Sequence, residues 1–168
     1  MIAIPKRILW ATDLSELSLH SGRYAAALAE QLDAELWIVH VFEPPLTPGQ
    51  YVSSAGGGAQ TNPDIEAIET CRGSLTELVG AELPGPRVGV PEIVFGEPWQ
   101  AICEYGERVG VDLIVLSTHG RTGFKHAVLG STAERVVQHA PCSVLAVKIP
   151  RHHAAGEGNS ALCQRETA

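Results

Sequence analysis

Two hydrophobic patterns alternate along the chain: short, continuous apolar runs, and longer segments in which apolar residues recur every three or four positions. A run such as Ile8–Ala11 is typical of a strand buried on both faces of a parallel sheet, whereas the second pattern is that of an amphipathic helix. Five strands are predicted, at Lys6–Asp13, Leu36–Val41, Val88–Phe95, Leu113–Leu116 and Ser143–Val147. Four helices are predicted between them, at Leu17–Leu32, Ile65–Val79, Trp99–Val109 and Thr132–His139.

The first predicted helix has the clearest boundaries. Leu17, Tyr24, Leu28 and Leu32 fall at helical spacing, which predicts that they form its apolar face. Ser15 stands just before this segment, where a hydroxyl oxygen accepts from the unpaired N–H groups of the first turn. The sequence therefore predicts a helix capped by Ser15.

The alternation of strands and helices has a topological consequence. Each strand–helix–strand unit crosses over in the right-handed sense, which produces a parallel sheet covered by helices on both faces. We predict an α/β fold with a doubly wound, five-stranded parallel sheet of the Rossmann-like type, in a single domain. A ligand of such a fold binds beyond the carboxyl ends of the strands, at the switch point where the strand order reverses.

Length and composition fit one domain. The 168 residues are 45% hydrophobic and only 5% aromatic, enough for one aliphatic core. We expect the domain to span residues 1–150 and residues 151–168, which lack apolar periodicity, to form a disordered tail. The segment Glu43–Pro63 is too rich in proline and glycine for regular structure, and we expect a loop that is mobile without ligand.

Charge narrows the range of partners. The net charge is −7, with no basic patch for a phosphate backbone, so nucleic acid is not an expected partner. No apolar run approaches the ~20 residues that span a bilayer, and no signal peptide opens the chain, so we expect a cytoplasmic protein without membrane insertion. The four cysteines form no C-x-x-C pair, which argues against a zinc site or a disulfide framework.

The segment after the fourth predicted strand has the chemistry of an anion site. Gly120 and Gly123 allow close approach of the backbone, and Arg121 supplies local positive charge. Gly130-Ser131 precedes a helix whose first N–H groups attract negative charge, and Thr132 adds a hydroxyl. This pattern indicates phosphate binding.

Each of these residues also has a plainer interpretation. The glycines are explained equally by simple turns, and Ser131 to Glu134 has the S-x-x-E pattern of a capping box. Asp13, at the end of the first strand, is either a ligand residue or a helix cap. His119 is more often a solvent-facing turn residue than a catalytic group, and His40 is expected to be a satisfied core or interface residue rather than a ligand.

Several motifs together resemble the nucleotide-binding universal stress proteins. These motifs are Ala11-Thr12-Asp13-Leu14-Ser15, Gly96-Glu97-Pro98, and the spacing G-x-x-G-x9-G-[S/T] after the fourth strand. In that spacing Gly120 and Gly130 match the second and third glycines, while Ser117 stands at the first. The resemblance covers about residues 6–148 and implies an adenine nucleotide alpha hydrolase-like fold.

The resemblance also implies a ligand, ATP or ADP or AMP together with Mg²⁺, and a site for it. Asp13 would lie near the ribose and phosphates or the metal ion, the Val41 backbone would face adenine, and Ser117 would border the sugar. The full set implied for the site is Ala11, Thr12, Asp13, Val41, Ser117, His119, Gly120, Arg121, Gly123, Gly130, Ser131 and Thr132. Gly130 is expected to be the most sensitive, because a Cβ there would obstruct phosphate or force an unfavourable φ.

The expected function is that of an ATP-binding regulatory module in the stress response rather than an enzyme. Neither a G-x-x-x-x-G-K-[S/T] phosphate loop nor a Ser-Gly-Gly loop after the first strand is found. The alternatives are a weak ATP hydrolase and a homodimeric partner-binding module without nucleotide, which Ser117 keeps open. The resemblance implies a homodimer paired through the fifth strand, Ser143–Val147, and leaves room for a higher oligomer.

Overall fold

In the computed structural model, residues 4–42, 65–83, 85, 87–118 and 129–148 are described. They form a parallel sheet with helices on both faces, in the order of elements that the sequence predicts. The strands are β1 (Arg7–Thr12), β2 (Glu35–Phe42), β3 (Glu92–Phe95), β4 (Leu113–Ser117) and β5 (Ser143–Val147). The helices are α1 (Glu16–Leu32), α2 (Ile65–Glu82), α3 (Pro98–Val109) and α4 (Ser131–His139). The predicted loop Glu43–Pro63 and tail 151–168 lie outside the described residues.

The five strands lie in the order β3-β2-β1-β4-β5, and all neighbours are parallel. The predicted α/β fold is therefore confirmed. β1 occupies the centre, where Trp10 lies opposite Ile38 on one side and Val115 on the other. The chain winds outward from β1 to β3, then returns across the sheet to β4 and β5. This return makes the boundary between β1 and β4 the switch point of the fold.

A separate apolar core fills each face of the sheet. On one face Ile8 and Trp10 pack with Ala25 of α1 and Leu75 of α2. On the other face Leu9 and Ile114 are among the buried residues, together with side chains of α3 and α4. Each central strand thus buries alternate residues in opposite cores, which explains why β1 reads as one continuous apolar run.

The face that α1 presents to the sheet differs in part from the prediction: Leu28 and Leu32 pack against the core as expected, but they are only half-buried. Its fully buried positions are small residues, namely Ser18, Ser21, Gly22, Ala25 and Ala29, whereas Tyr24 is 53% exposed. The reason is Trp10, whose indole is completely buried and occupies the space between the sheet and the helix. Only small side chains let α1 approach that ring.

β3 is shorter than predicted. The strand begins at Glu92, and Val88 contributes only an isolated parallel bridge to Leu36. Between them Pro91 has no N–H to donate to a ladder, and Val90 is 84% exposed. β3 therefore has four residues.

Candidate functional site

The candidate site lies at the switch point, where β1 and β4 are neighbours and the connections that follow them lead to opposite faces. α1 follows β1 on one face, and α4 follows β4 on the other. The site therefore begins with Asp13, just after β1, Ser117 at the end of β4, and Gly130 at the start of α4. Carboxyl ends of parallel strands with this divergence form a crevice.

Hydrogen bonds between side chains and backbone organise the turn after β1. The Asp13 carboxylate oxygen Oδ1 accepts from the Ser15 backbone N–H at 3.1 Å and from the Ser15 hydroxyl at 2.6 Å. Ser15 Oγ in turn accepts from the Ser18 N–H at 3.1 Å and caps α1. The predicted Ser15 cap is confirmed. Asp13 is not the cap but orients the residue that is.

Thr12 holds the other half of the same turn. Its buried hydroxyl oxygen accepts from the Leu14 N–H at 3.1 Å and from the Ser18 hydroxyl at 2.6 Å. These bonds accompany an unusual backbone, since Leu14 has a φ of 64°, a conformation that costs a leucine roughly 1–2 kcal/mol. The turn that carries Asp13 is thus held in one strained shape, as at many ligand sites.

His40 stabilises β1 at the point where it ends. The imidazole is buried, and Nδ1 lies 2.8 Å from the Thr12 carbonyl oxygen in the neighbouring strand. Because a carbonyl oxygen only accepts, Nδ1 carries the proton in this hydrogen bond. The expectation of a satisfied core histidine is confirmed. Its link to the turn through Thr12 was not predicted, because that contact joins residues 28 positions apart. The part that Ser18 plays in the turn was not predicted either.

α4 begins one residue earlier than predicted, with Gly130 as the N-cap residue and Ser131 as the first helical residue. The alternative interpretation of Ser131 to Glu134 as a capping box does not hold, because a capping box needs the Ser131 hydroxyl at the N-cap, where glycine stands instead. Gly130 offers no side-chain cap, so this helix start differs from that of α1. The N–H groups of its first turn have no partner within the helix.

The backbone at Gly130 has an ordinary conformation. Its φ is −71° and its ψ 153°, values open to any residue, so a side chain there would not force an unfavourable φ. Its own N–H donates to the Thr118 carbonyl oxygen at 2.7 Å, and the Thr118 N–H donates to that of Val147 at 3.0 Å. These bonds tie the start of α4 to the ends of β4 and β5.

Some of the remaining predicted site residues lie within the described part of the chain, and others lie outside it. Val41 is half-buried and packs against the core under α3 and α4, and Ala11 belongs to that core. Ser117 is half-buried, and Thr132 lies in the first turn of α4. His119, Gly120, Arg121 and Gly123 lie outside the described residues.

Other chemistry is sparse in the described part of the chain. No group of three or more His, Cys, Asp or Glu side chains there is arranged to hold a metal ion. Burial raises the pKa of the Cys103 and Cys142 thiols, which keeps them protonated and poorly nucleophilic at neutral pH. Within the described ranges, no helix has the length and apolarity needed to cross a bilayer.

The fold is a doubly wound α/β sheet with polar residues at the strand ends of its switch point, and sequence comparison identifies the family. The chain matches the model of the universal stress protein family over residues 5–148. Universal stress protein MJ0531 of Methanocaldococcus jannaschii is 33% identical over 146 residues, which cover 87% of this chain and 84% of that protein. Universal stress protein A homolog 1 of Coxiella burnetii is 34% identical over 143 residues, which cover 84% of this chain and 95% of that protein. This chain belongs to the universal stress protein family.

Solved structures share the fold. UspA from Lactobacillus plantarum superposes with a TM-score of 0.64 at 22% identity, covering 87% of this chain and 99% of that one. A universal stress protein in complex with cAMP superposes with a TM-score of 0.59 at 23% identity, and the match covers 86% of this chain and 98% of that one. The universal stress protein from Archaeoglobus fulgidus in complex with dAMP superposes with a TM-score of 0.55 at 21% identity, and the match covers 87% of this chain and 98% of that one. At these identities the likeness establishes a common architecture.

Proposed function

We propose that this protein binds an adenine nucleotide, ATP or its ADP and AMP forms, at the switch point between β1 and β4, with Mg²⁺ accompanying the phosphates. The observation that carries the proposal is the start of α4, where glycine replaces a capping side chain beside the strand ends. Helix N–H groups without a cap favour a phosphate. Solved members of the family with the same fold hold cAMP and dAMP, which supports an adenine ligand.

The described residues fit distinct roles in such a site. The N–H groups and hydroxyls of Ser131 and Thr132 would donate to phosphate oxygens. Asp13, whose carboxylate is oriented by Ser15, would face the ribose or the metal ion. Because a single carboxylate is a weak Mg²⁺ site, the nucleotide phosphates would supply most of the remaining ligands. His119, Gly120, Arg121 and Gly123 would complete the phosphate loop, with Ser117 beside the sugar and Val41 beside adenine.

We further propose that the protein is a cytoplasmic regulatory module that responds to nucleotide rather than an enzyme. A second candidate is a homodimeric partner-binding module without nucleotide. Ser117 favours this second candidate, because it stands where the nucleotide-binding motif has a glycine. The two candidates differ in whether the purified protein binds ATP.

Calorimetric titration with ATP and Mg²⁺ distinguishes them, and Gly130→Val locates the site. A valine side chain at the N-cap would block phosphate while the backbone stays in an allowed conformation. Each charge-assisted hydrogen bond that is lost costs ~1.5–3 kcal/mol. The affinity for ATP should therefore fall by more than about tenfold. Ser117→Gly is the matched variant at the sugar and should preserve or improve binding.

Thermal melting must first show that both variants fold. Undiminished ATP affinity in a folded Gly130→Val protein would mean that the phosphates bind elsewhere. Failure of the parent protein to bind ATP, ADP or AMP would favour the module without nucleotide.

A further inference from the structure

A groove lies at one edge of the sheet, between edge strand β3 and helix α3. It has a volume of about 410 Å³, and its walls include Glu92, Val94, Ala101, Glu104, Tyr105 and Arg108. None of the residues that line the groove is among those proposed to hold the nucleotide, and the nearest of that set is Val41 of β2, which lies opposite Val94.

The backbone of β3 forms one wall of the groove. Among the described residues β3 pairs with β2 on one side only, in register Val39 to Glu92 through Phe42 to Phe95. Alternate peptide groups of an edge strand point away from the sheet and form a template for a further strand. Exposed apolar side chains lie just before the strand, at Val90 with 84% exposure, and at its last residue, Phe95, with 49% exposure.

The groove has an apolar floor with acidic walls. Ala101 and Tyr105 are buried, whereas Glu92 and Glu104 are exposed. Arg108, the one cation of the lining, lies over the Tyr105 ring at 4.9 Å from its centroid. Burial raises the pKa of Tyr105, and the charge of Glu92, which also lines the groove, raises it further. The groove thus carries two carboxylates, those of Glu92 and Glu104, and one guanidinium, that of Arg108, which already contacts the Tyr105 ring.

We propose that β3 accepts an extended segment of a partner protein as a sixth strand, and that this segment carries an apolar residue and a lysine or arginine two positions apart. Residues at i and i+2 of a strand project to the same face. The apolar side chain would cover Ala101 and Tyr105, and the cation would lie between Glu92 and Glu104. Backbone hydrogen bonds supply affinity in this mode, and side-chain pockets supply specificity.

The charges also select against a second copy of this chain. A copy docked through β3 would bring the same two carboxylates to the groove, and like charges placed together oppose pairing. The four-residue length of β3, with Pro91 before it, restricts the pairing to a short segment. A short, extended and basic segment of another protein avoids the like-charge repulsion and fits the length of β3.

Two acetylated and amidated pentapeptides test this proposal, with the sequences Thr-Val-Thr-Lys-Thr and Thr-Val-Thr-Glu-Thr. Titration into the full-length protein, followed by backbone NMR, should shift the amides of Glu92–Phe95 and of α3. The lysine peptide should bind at least about fivefold more tightly than the glutamate peptide. Glu104→Lys should abolish or reverse this preference, while Glu107→Lys, the same change on an exposed part of α3 outside the groove, should retain it.

Three results would overturn the proposal. The first is that the β3 amide signals do not shift at millimolar peptide. The second is that Glu104→Lys and Glu107→Lys change the preference for the lysine peptide equally. The third is that the β3 signals shift with protein concentration in the absence of peptide, which would assign the edge to a second copy. ATP titration of Glu104→Lys should match the parent protein, so the outcome is independent of the nucleotide site.

Discussion

At the scale of single residues, the contact between Trp10 and Gly22 decides how closely α1 approaches the sheet. The indole is fully buried, and its N–H donates to the Ser21 hydroxyl at 3.1 Å and to the Ser18 carbonyl at 3.2 Å. A Cβ on Gly22 would stand 2.6 Å from the ring, closer than atoms can pack. Because both the ring and the helix backbone are rigid, one of them must move.

Gly22→Ala should therefore destabilise the protein by about 1–3 kcal/mol, the usual cost of overpacking a core. Gly80→Ala in α2 is the matched control, since a Cβ there has no atom within 4 Å and alanine favours a helix by up to ~1 kcal/mol. Urea unfolding of both variants measures the difference. Equal stability of the two variants would show that α1 is not held against Trp10 as described.

At the scale of elements, Asp112 joins the amino ends of β1 and β4. Its Oδ2 accepts from the Lys6 N–H at 2.8 Å and from the Arg7 N–H at 2.9 Å, and its own N–H donates to the Arg7 carbonyl. These backbone bonds to Lys6 and Arg7 lower the pKa of Asp112 below its ordinary value of 3.8. The carboxylate form is therefore favoured in the folded protein.

A lowered pKa in the folded state means that this stabilisation is present above pH ~3.8 and is lost as the pH falls through the folded value. Asp112→Asn should be less stable than the parent protein at pH 7, by no more than ~1 kcal/mol because the group is exposed to solvent. The difference should shrink as the pH falls below the ordinary value of 3.8 and through the lowered pKa of the folded state. Urea unfolding at several pH values measures it, with Glu107→Gln as a control for net charge. A gap that stays constant with pH would contradict the role given to this carboxylate.

At the scale of the whole molecule, β5 is the edge strand opposite β3. Its central residues, Val144, Leu145 and Ala146, are half-buried, and among the described residues it pairs only with β4. An apolar edge of this kind favours pairing with a second copy. We predict a homodimer through β5 at concentrations on the order of tens of micromolar.

Light scattering tests this prediction with two lysine substitutions. Val144→Lys should shift the protein toward monomer, because a charge on an edge strand opposes pairing. Val90→Lys places the same charge at an exposed residue beside the opposite edge and should leave the dimer intact. Both variants need a melting check, and a monomeric parent protein would reject a stable interface of this kind.

The sequence by itself determined the elements and their order. β1 is one unbroken apolar run because residues on both faces of a central parallel strand are buried, and Ser15 caps α1 through a bond three residues away. Both signals are local, so they are visible without a structure. The strand ends of a parallel α/β fold also place Asp13 and Ser117 at the same edge of the sheet.

Only the tertiary structure decided which side chains meet. The buried face of α1 consists of small residues because Trp10 from another element fills the space, and helical periodicity alone favours the larger leucines. The ladder of β3 with β2 begins only at Glu92, and the Gly130 N–H at the start of α4 binds the Thr118 carbonyl oxygen beyond β4. These outcomes depend on contacts between residues distant along the chain, whose energies no local pattern contains.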